Sequence, residues 1–184
     1  MTQAGSMQNL LNTTILNSTK YHVGLMPDHE NINATVMNAY LKLCAQDIVK
    51  RSHYFGGRHE KIYIDRTKLP AIERLLLQAS NIAANILNVS AGNLRSGFWI
   101  NDMGPGTVTS EHDHDDYDEL LSGVYYLQVP ENSGDLIISE NNSLHKVTPR
   151  AGMFIFFEPD LLHSVSENLS CHRRISIGMN FGPC

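Results

Sequence analysis

At 184 residues, with 42% hydrophobic and 18% charged positions, the chain can bury one sizeable core and is too short for two domains of ordinary size. A formal charge of −5 and only 14 scattered Lys and Arg residues exclude a broad phosphate-binding face, so no nucleic-acid partner is expected. Cys44, Cys171 and Cys184 are too far apart for a disulfide framework or a cysteine zinc site. The first residues lack a basic start and an apolar run, and no window approaches the roughly 18 apolar residues of a span. A cytoplasmic protein without membrane contact is the expectation.

In chain order, Asn31 to Lys50 places Ile32, Val36, Ala39, Tyr40, Leu43 and Ile48 at spacings near three and four, which predicts an amphipathic helix. SHYFGGRHEK, with its glycine pair, reads as a loop. Pro70 then opens a second predicted helix through AIERLLLQASNIAANIL. From about Ser96 the texture changes to short β-type runs: GFWIND, TVTSEH, LSGVYYLQV, DLIIS, AGMFIFF and RISIGMNF. Their spacing favours a sandwich or barrel. The expectation is a single domain over 1–184, with a mainly helical part, 1–94, packed on a β core, 95–182.

The segment EHDHDDYDE stands at the mouth of the β region. In an extended strand residues i and i+2 share a face, so His114 and Asp116 can aim an imidazole and a carboxylate at one point. His163, after MFIFF and the turn EPD, is placed to supply a third ligand. Two histidines and a carboxylate on one face of an octahedral metal leave positions open, the pattern diagnostic of non-haem iron(II) oxygenases. A solvated acidic loop is the plain alternative. His112 competes as a ligand through a His112-x-His114 pair. The other six histidines read as surface or packing residues.

In RRISIGMNF the period of two puts Arg174, Ser176 and Gly178 on one face, with Ile175 and Ile177 facing a hydrophobic layer outside the barrel. An inward guanidinium needs an anion. A dicarboxylate co-substrate would supply one, held by the planar fork of Arg174 with the hydroxyl of Ser176 beside it. An arginine paired with one of the chain's own acids is the alternative.

Taken together, His-x-Asp, L-S-G-V-Y-Y-L, P-E-N-S-G, G-x-x-x-x-F near a distal His, and R-x-S resemble the 2-oxoglutarate/Fe(II) oxygenase superfamily over about Phe98 to Phe181. Uncharacterised bacterial and phage oxygenases are the nearer likeness within it, and prolyl hydroxylases the more distant one. Close relatives often carry His where Asp116 stands. The resemblance implies a mostly β fold with N-terminal helices: a double-stranded β-helix, or jelly roll, buttressed by helices. It implies iron(II) on His114, Asp116 and His163, and the distal 2-oxoglutarate carboxylate on Arg174 and Ser176. Tyr126 would assist that anchor while Tyr125 faces away, and Asn101 would lie near the co-substrate. The implied cofactors are Fe(II), 2-oxoglutarate and O2, with ascorbate as a candidate stimulant. The implied reaction is hydroxylation of a small molecule or an amino-acid side chain, with release of succinate and CO2. A rival from another class is a cupin-like module that binds a metal and an anion without turnover. A second is a metal-dependent isomerase or dioxygenase that does not need 2-oxoglutarate.

Overall fold

The computed structural model of the chain describes residues 21–114, 118–140 and 143–184. Within them run β1 (Tyr21–Leu25), α1 (His29–Tyr40), β2 (Ile48–Phe55), β3 (Arg58–Ile64), α2 (Glu73–Leu87), β4 (Leu94–Met103) and β5 (Thr109–His112). They are followed by β6 (Leu121–Gln128), β7 (Leu136–Glu140), β8 (Ser143–Val147), β9 (Met153–Phe157), β10 (His163–Val165) and β11 (Arg174–Pro183). A seven-stranded sheet has the order β1-β9-β6-β11-β4-β3-β2, and a four-stranded sheet the order β5-β10-β7-β8.

Two apolar layers follow from the period of two in these strands. Val124, Tyr126, Ile155 and Phe157 of the large sheet meet Leu136, Ile138 and Val147 of the small one, closing the sandwich. The alternate residues, among them Ile100, Tyr125, Phe154, Ile175 and Ile177, turn outward and are covered by Ile32 and Val36 of α1 and by Leu75, Leu76 and Ala79 of α2. Leu75 and Leu76 are at most 1% exposed, and burial of each contributes roughly 1.5–3 kcal/mol. Asn33 fixes the seat of α1: its Nδ2 donates to Leu127 O at 2.8 Å, and its Oδ1 accepts from Tyr125 Oη at 2.6 Å. The tyrosine hydroxyl and the sheet carbonyl are thereby satisfied within the outer layer.

The second predicted helix is found, preceded by a short 3-10 turn at Pro70–Ile72 and ended by Asn88 in the left-handed conformation, φ 54°. The N-terminal part departs from expectation in three places. The helix expected over 31–50 ends at Tyr40, and Ile48–Phe55 is a strand. The stretch read as a loop, 52–61, is the hairpin of β2 and β3, with Gly56 and Gly57 at φ 54° and 81° as its two-residue turn. Two consecutive left-handed glycines match the right-handed twist of flanking strands, so the pair is a hairpin signal and not only a loop signal. Lastly, Tyr21–Leu25 pairs along β9 and extends the large sheet, so the described part of 1–94 contributes three strands beside its helices.

Candidate metal centre and anion anchor

β11 lies between β4 and β6 in the large sheet, and cross-strand partners share a face. Ser176 sits opposite Asn101 on one side and Tyr126 on the other; Gly178 sits opposite Trp99 and Val124. Arg174, opposite Met103, continues the same face. Arg174, Ser176, Tyr126 and Asn101 therefore line one cavity between the sheets, and Tyr125 faces the other way. Gly178 is required here: a Cβ would stand 2.2 Å from Trp99 Cε2, so the indole can lie across β11 only over a bare backbone.

The small sheet supplies the opposite wall. His163 of β10 and His112 of β5 are ladder partners, so their rings project side by side, with centroids 4.4 Å apart. His114, two residues beyond His112, completes a triangle at 5.0 Å and 5.1 Å. The ligand nitrogens of His112, His114 and His163 all lie within 4.8 Å of one another, a span that one ion can bridge. Asp116 lies outside the described residues, and among the described ones it is His112 that joins the two expected histidines.

Two rings of the triad are held in an orientation that suits a metal. Nδ1 of His112 meets Ser110 O and Nδ1 of His163 meets Leu161 O, each at 2.8 Å. A carbonyl can only accept, so each Nδ1 carries the proton and each Nε2 keeps its lone pair. Ser110 is held in turn by Glu60 of β3, whose carboxylate accepts from Ser110 N at 3.1 Å and faces Ser110 Oγ at 3.3 Å. Thus a side chain of the large sheet fixes the carbonyl that orients His112. Imidazole donors suit iron, zinc, copper and nickel alike.

Burial, reinforced by the neighbouring positive charges, drives His114 down to about 2 and His163 down to about 4 from a usual 6.5. Both rings are neutral at pH 7, as ligands must be. The same shifts predict how metal-free protein responds to acid. Between pH 6.5 and about 4 the unfolded chain holds the His163 proton and the folded chain does not, so stability is complete above 6.5 and falls as pH drops through that window. For His163 alone the loss is on the order of 2–3 kcal/mol. Urea midpoints measured at pH 7 and pH 4.5 check this, and equal midpoints would show that the imidazole is not sequestered.

Arg174 is 2% exposed. Nη1 donates to Gly134 O at 2.9 Å and Nη2 approaches Met103 Sδ at 3.0 Å, while Nε is buried without a partner. Among the described residues it makes no ion pair with a carboxylate, so the alternative of an internal acid is not what the described residues provide. Burial lowers its proton affinity. A carboxylate arriving here would relieve both the charge and the orphaned donor. Burial also raises the Tyr126 hydroxyl to about 12, which keeps it a donor beside that carboxylate.

Sequence reasoning did not find Trp99, Glu60 or Lys61 in the cavity wall. Glu60 and Lys61 lie on β3, and the signal that could have found them is the apolar run following RHEK, which marks a strand rather than a loop.

Residues 98–182 match the model of the 2OG-Fe(II) oxygenase superfamily. No curated protein matches the chain. Among solved structures, a Pseudomonas putida prolyl-4-hydroxylase is 18% identical with a TM-score of 0.70, covering 89% of this chain and 94% of that one. The alpha ketoglutarate dependent carbocyclase SnoK from nogalamycin biosynthesis is 17% identical with a TM-score of 0.68, covering 89% and 79%. The epimerase SnoN, solved with Fe3+, alpha ketoglutarate and nogalamycin RO, is 15% identical with a TM-score of 0.67, covering 89% and 79%. At such identities the likeness is one of fold, the double-stranded β-helix. The β half of this chain is thus similar in sequence to the 2OG-Fe(II) oxygenase superfamily and in fold to its solved members.

Proposed function

We propose that the protein is an iron(II)- and 2-oxoglutarate-dependent dioxygenase that hydroxylates a small molecule or an amino-acid side chain. The observation that carries this reading is a single cavity holding both a three-histidine cluster and a buried arginine with an unpaired donor, inside the family-matched segment. His112, His114 and His163 would hold the metal. Asp116, the carboxylate expected from the sequence, is the competitor for the place given to His112. The ladder partnership of His112 with His163 and its Nδ1 bond to Ser110 O favour the histidine.

With the cofactors bound, their chemistry consumes O2, converts 2-oxoglutarate to succinate and CO2, and delivers one oxygen atom to a C–H bond. The protein's part is placement. Arg174, Ser176 and the protonated Tyr126 would take the distal carboxylate and so fix which end of the co-substrate reaches the histidines. Val124, Leu136 and Phe157 line the cavity with apolar surface, limiting water around the reacting centre. SnoK and SnoN, named as a carbocyclase and an epimerase, share the fold, so the choice of hydroxylation here rests on the likeness to hydroxylases and on no residue.

Anaerobically purified protein given iron(II), ascorbate, 2-oxoglutarate and oxygen, without a prime substrate, is expected to release succinate slowly, and the His163→Ala variant none. No succinate together with no calorimetric binding of 2-oxoglutarate would leave a metal- and anion-binding module instead.

A further inference from the structure

β5 meets β10 out of step. Thr109 is the partner of Val165 and His112 the partner of His163, so two residues of β5, Ser110 and Glu111, stand opposite one of β10, Ser164. This is a bulge, and it decides which side chain reaches the site. An unbroken register continued from Thr109 would set Glu111, not His112, against His163. A slip of one residue also turns each side chain to the other face of its sheet. The extra residue therefore creates the pair of histidines on which the metal centre is built.

The extra residue of a bulge is left without a ladder partner, and a buried backbone donor needs one from elsewhere. At this bulge the donor is Ser110 N–H, and Glu60 of β3 receives it at 3.1 Å; Ser110 Oγ donates to the second carboxylate oxygen at 3.3 Å. Glu60 is 5% exposed and reaches β5 from the large sheet. Arg58, on the same strand, grips the residues just before the bulge: its Nη2 donates to Val108 O and to Thr109 Oγ1, each at 2.9 Å, and lies 3.6 Å from the Glu60 carboxylate. β5 is only four residues long, too short to defend its own register, and β3 clasps it where the register changes. The carbonyl of Ser110 then accepts from His112 Nδ1 at 2.8 Å, which carries the clasp through to the ring.

We propose that Glu60 is a positioning residue for the metal centre, stabilising the β5 bulge that sets His112 beside His163. The proposal rests on the three-histidine reading above and takes it further, because it gives the register of the metal-bearing strand to a carboxylate outside the family-matched residues 98–182.

Co(II) binding to the full-length protein, followed by calorimetry and by the visible absorption of the bound ion, reads the site without turnover. Glu60→Asp keeps the charge but draws the carboxylate back by one methylene. It is expected to weaken Co(II) about tenfold, within the range for groups that orient a ligand. Glu60→Gln removes the charge and keeps a carbonyl oxygen for Ser110 N–H, so it should stay within about threefold of wild type. In a His112→Ala background Glu60→Asp should cost nothing further, since its effect passes through His112. A Gln variant as weak as the Asp variant would make charge the cause and overturn the proposal. So would an Asp variant that binds like wild type, or one that costs the same factor in the absence of His112. Amide hydrogen exchange of the wild type needs no variant to fold: Ser110 N–H is expected to exchange about a hundredfold or more slower than a free peptide amide, and exchange at the free rate overturns the proposal. The two readings fail differently. If His112→Ala alone binds Co(II) like wild type, the three-histidine reading falls and takes this one with it; if it binds weakly while Glu60→Asp binds fully, only the role of Glu60 falls.

Discussion

His112→Ala is expected to weaken iron(II) binding by about a hundredfold or more, because outer partners that merely orient a ligand are already worth about 10–100-fold. If three histidines hold the metal, Asp116→Ala should stay within roughly threefold of wild type. The physical basis is the ladder. His112 and His163 are opposed on neighbouring antiparallel strands, a relation set by backbone hydrogen bonds and not by the freedom of a loop. Each ring is then turned by a carbonyl two residues before it, Ser110 O for His112 and Leu161 O for His163. Equilibrium dialysis with metal analysis on both variants decides the matter. Full affinity in His112→Ala, with loss in Asp116→Ala, would return the site to two histidines and a carboxylate.

A second large effect is expected at Arg174. Arg174→Met should lower 2-oxoglutarate affinity at least about a hundredfold, since truncating one partner of a buried charge pair costs about 2–5 kcal/mol. Metal affinity should not change. Arg174→Lys restores the charge without the planar fork, so it should recover only part of the loss. The stability of the ligand-free protein should move the other way or not at all. The wild-type guanidinium is 2% exposed and keeps a buried Nε without a partner, so replacing it by an apolar side chain of similar length removes a cost of folding. Calorimetry with Mn(II) present and thermal melts without ligand measure both halves. An Arg174→Met variant that binds 2-oxoglutarate normally would sink the anchor assignment.

Four strands of the large sheet, β4, β6, β9 and β11, were legible because each carries its period of two in a run long enough to read, and α2 because Pro70 marks its start. The same period put Arg174 and Ser176 on one face, a direction that needs no knowledge of neighbouring strands once the hydrophobic face is known, whereas Tyr126 was named through the family resemblance. The metal triad was only half legible. In His112-x-His114-x-Asp116 three candidate ligands share one face, and nothing local says where the strand stops. β5 ends at His112, and the partner opposite His112 on β10 lies 51 positions further along the chain, a pairing that no window of sequence contains. The β2 and β3 hairpin was missed for a different reason. The exposed residues of β2, such as Tyr54 and Phe55, follow no burial alternation, because an edge strand of this sheet has one neighbour and little cover.

β11 carries two interleaved inscriptions. Arg174, Ser176 and Gly178 write the cavity, while Ile175, Ile177, Met179 and Phe181 write the layer beneath the helices. Substitutions at alternate positions along one strand therefore fall into separate classes, one altering which anion is grasped and the other how firmly the chain folds. A lineage using this scaffold can revise the first text while leaving the second intact, and a slip of one residue in register would exchange the two wholesale.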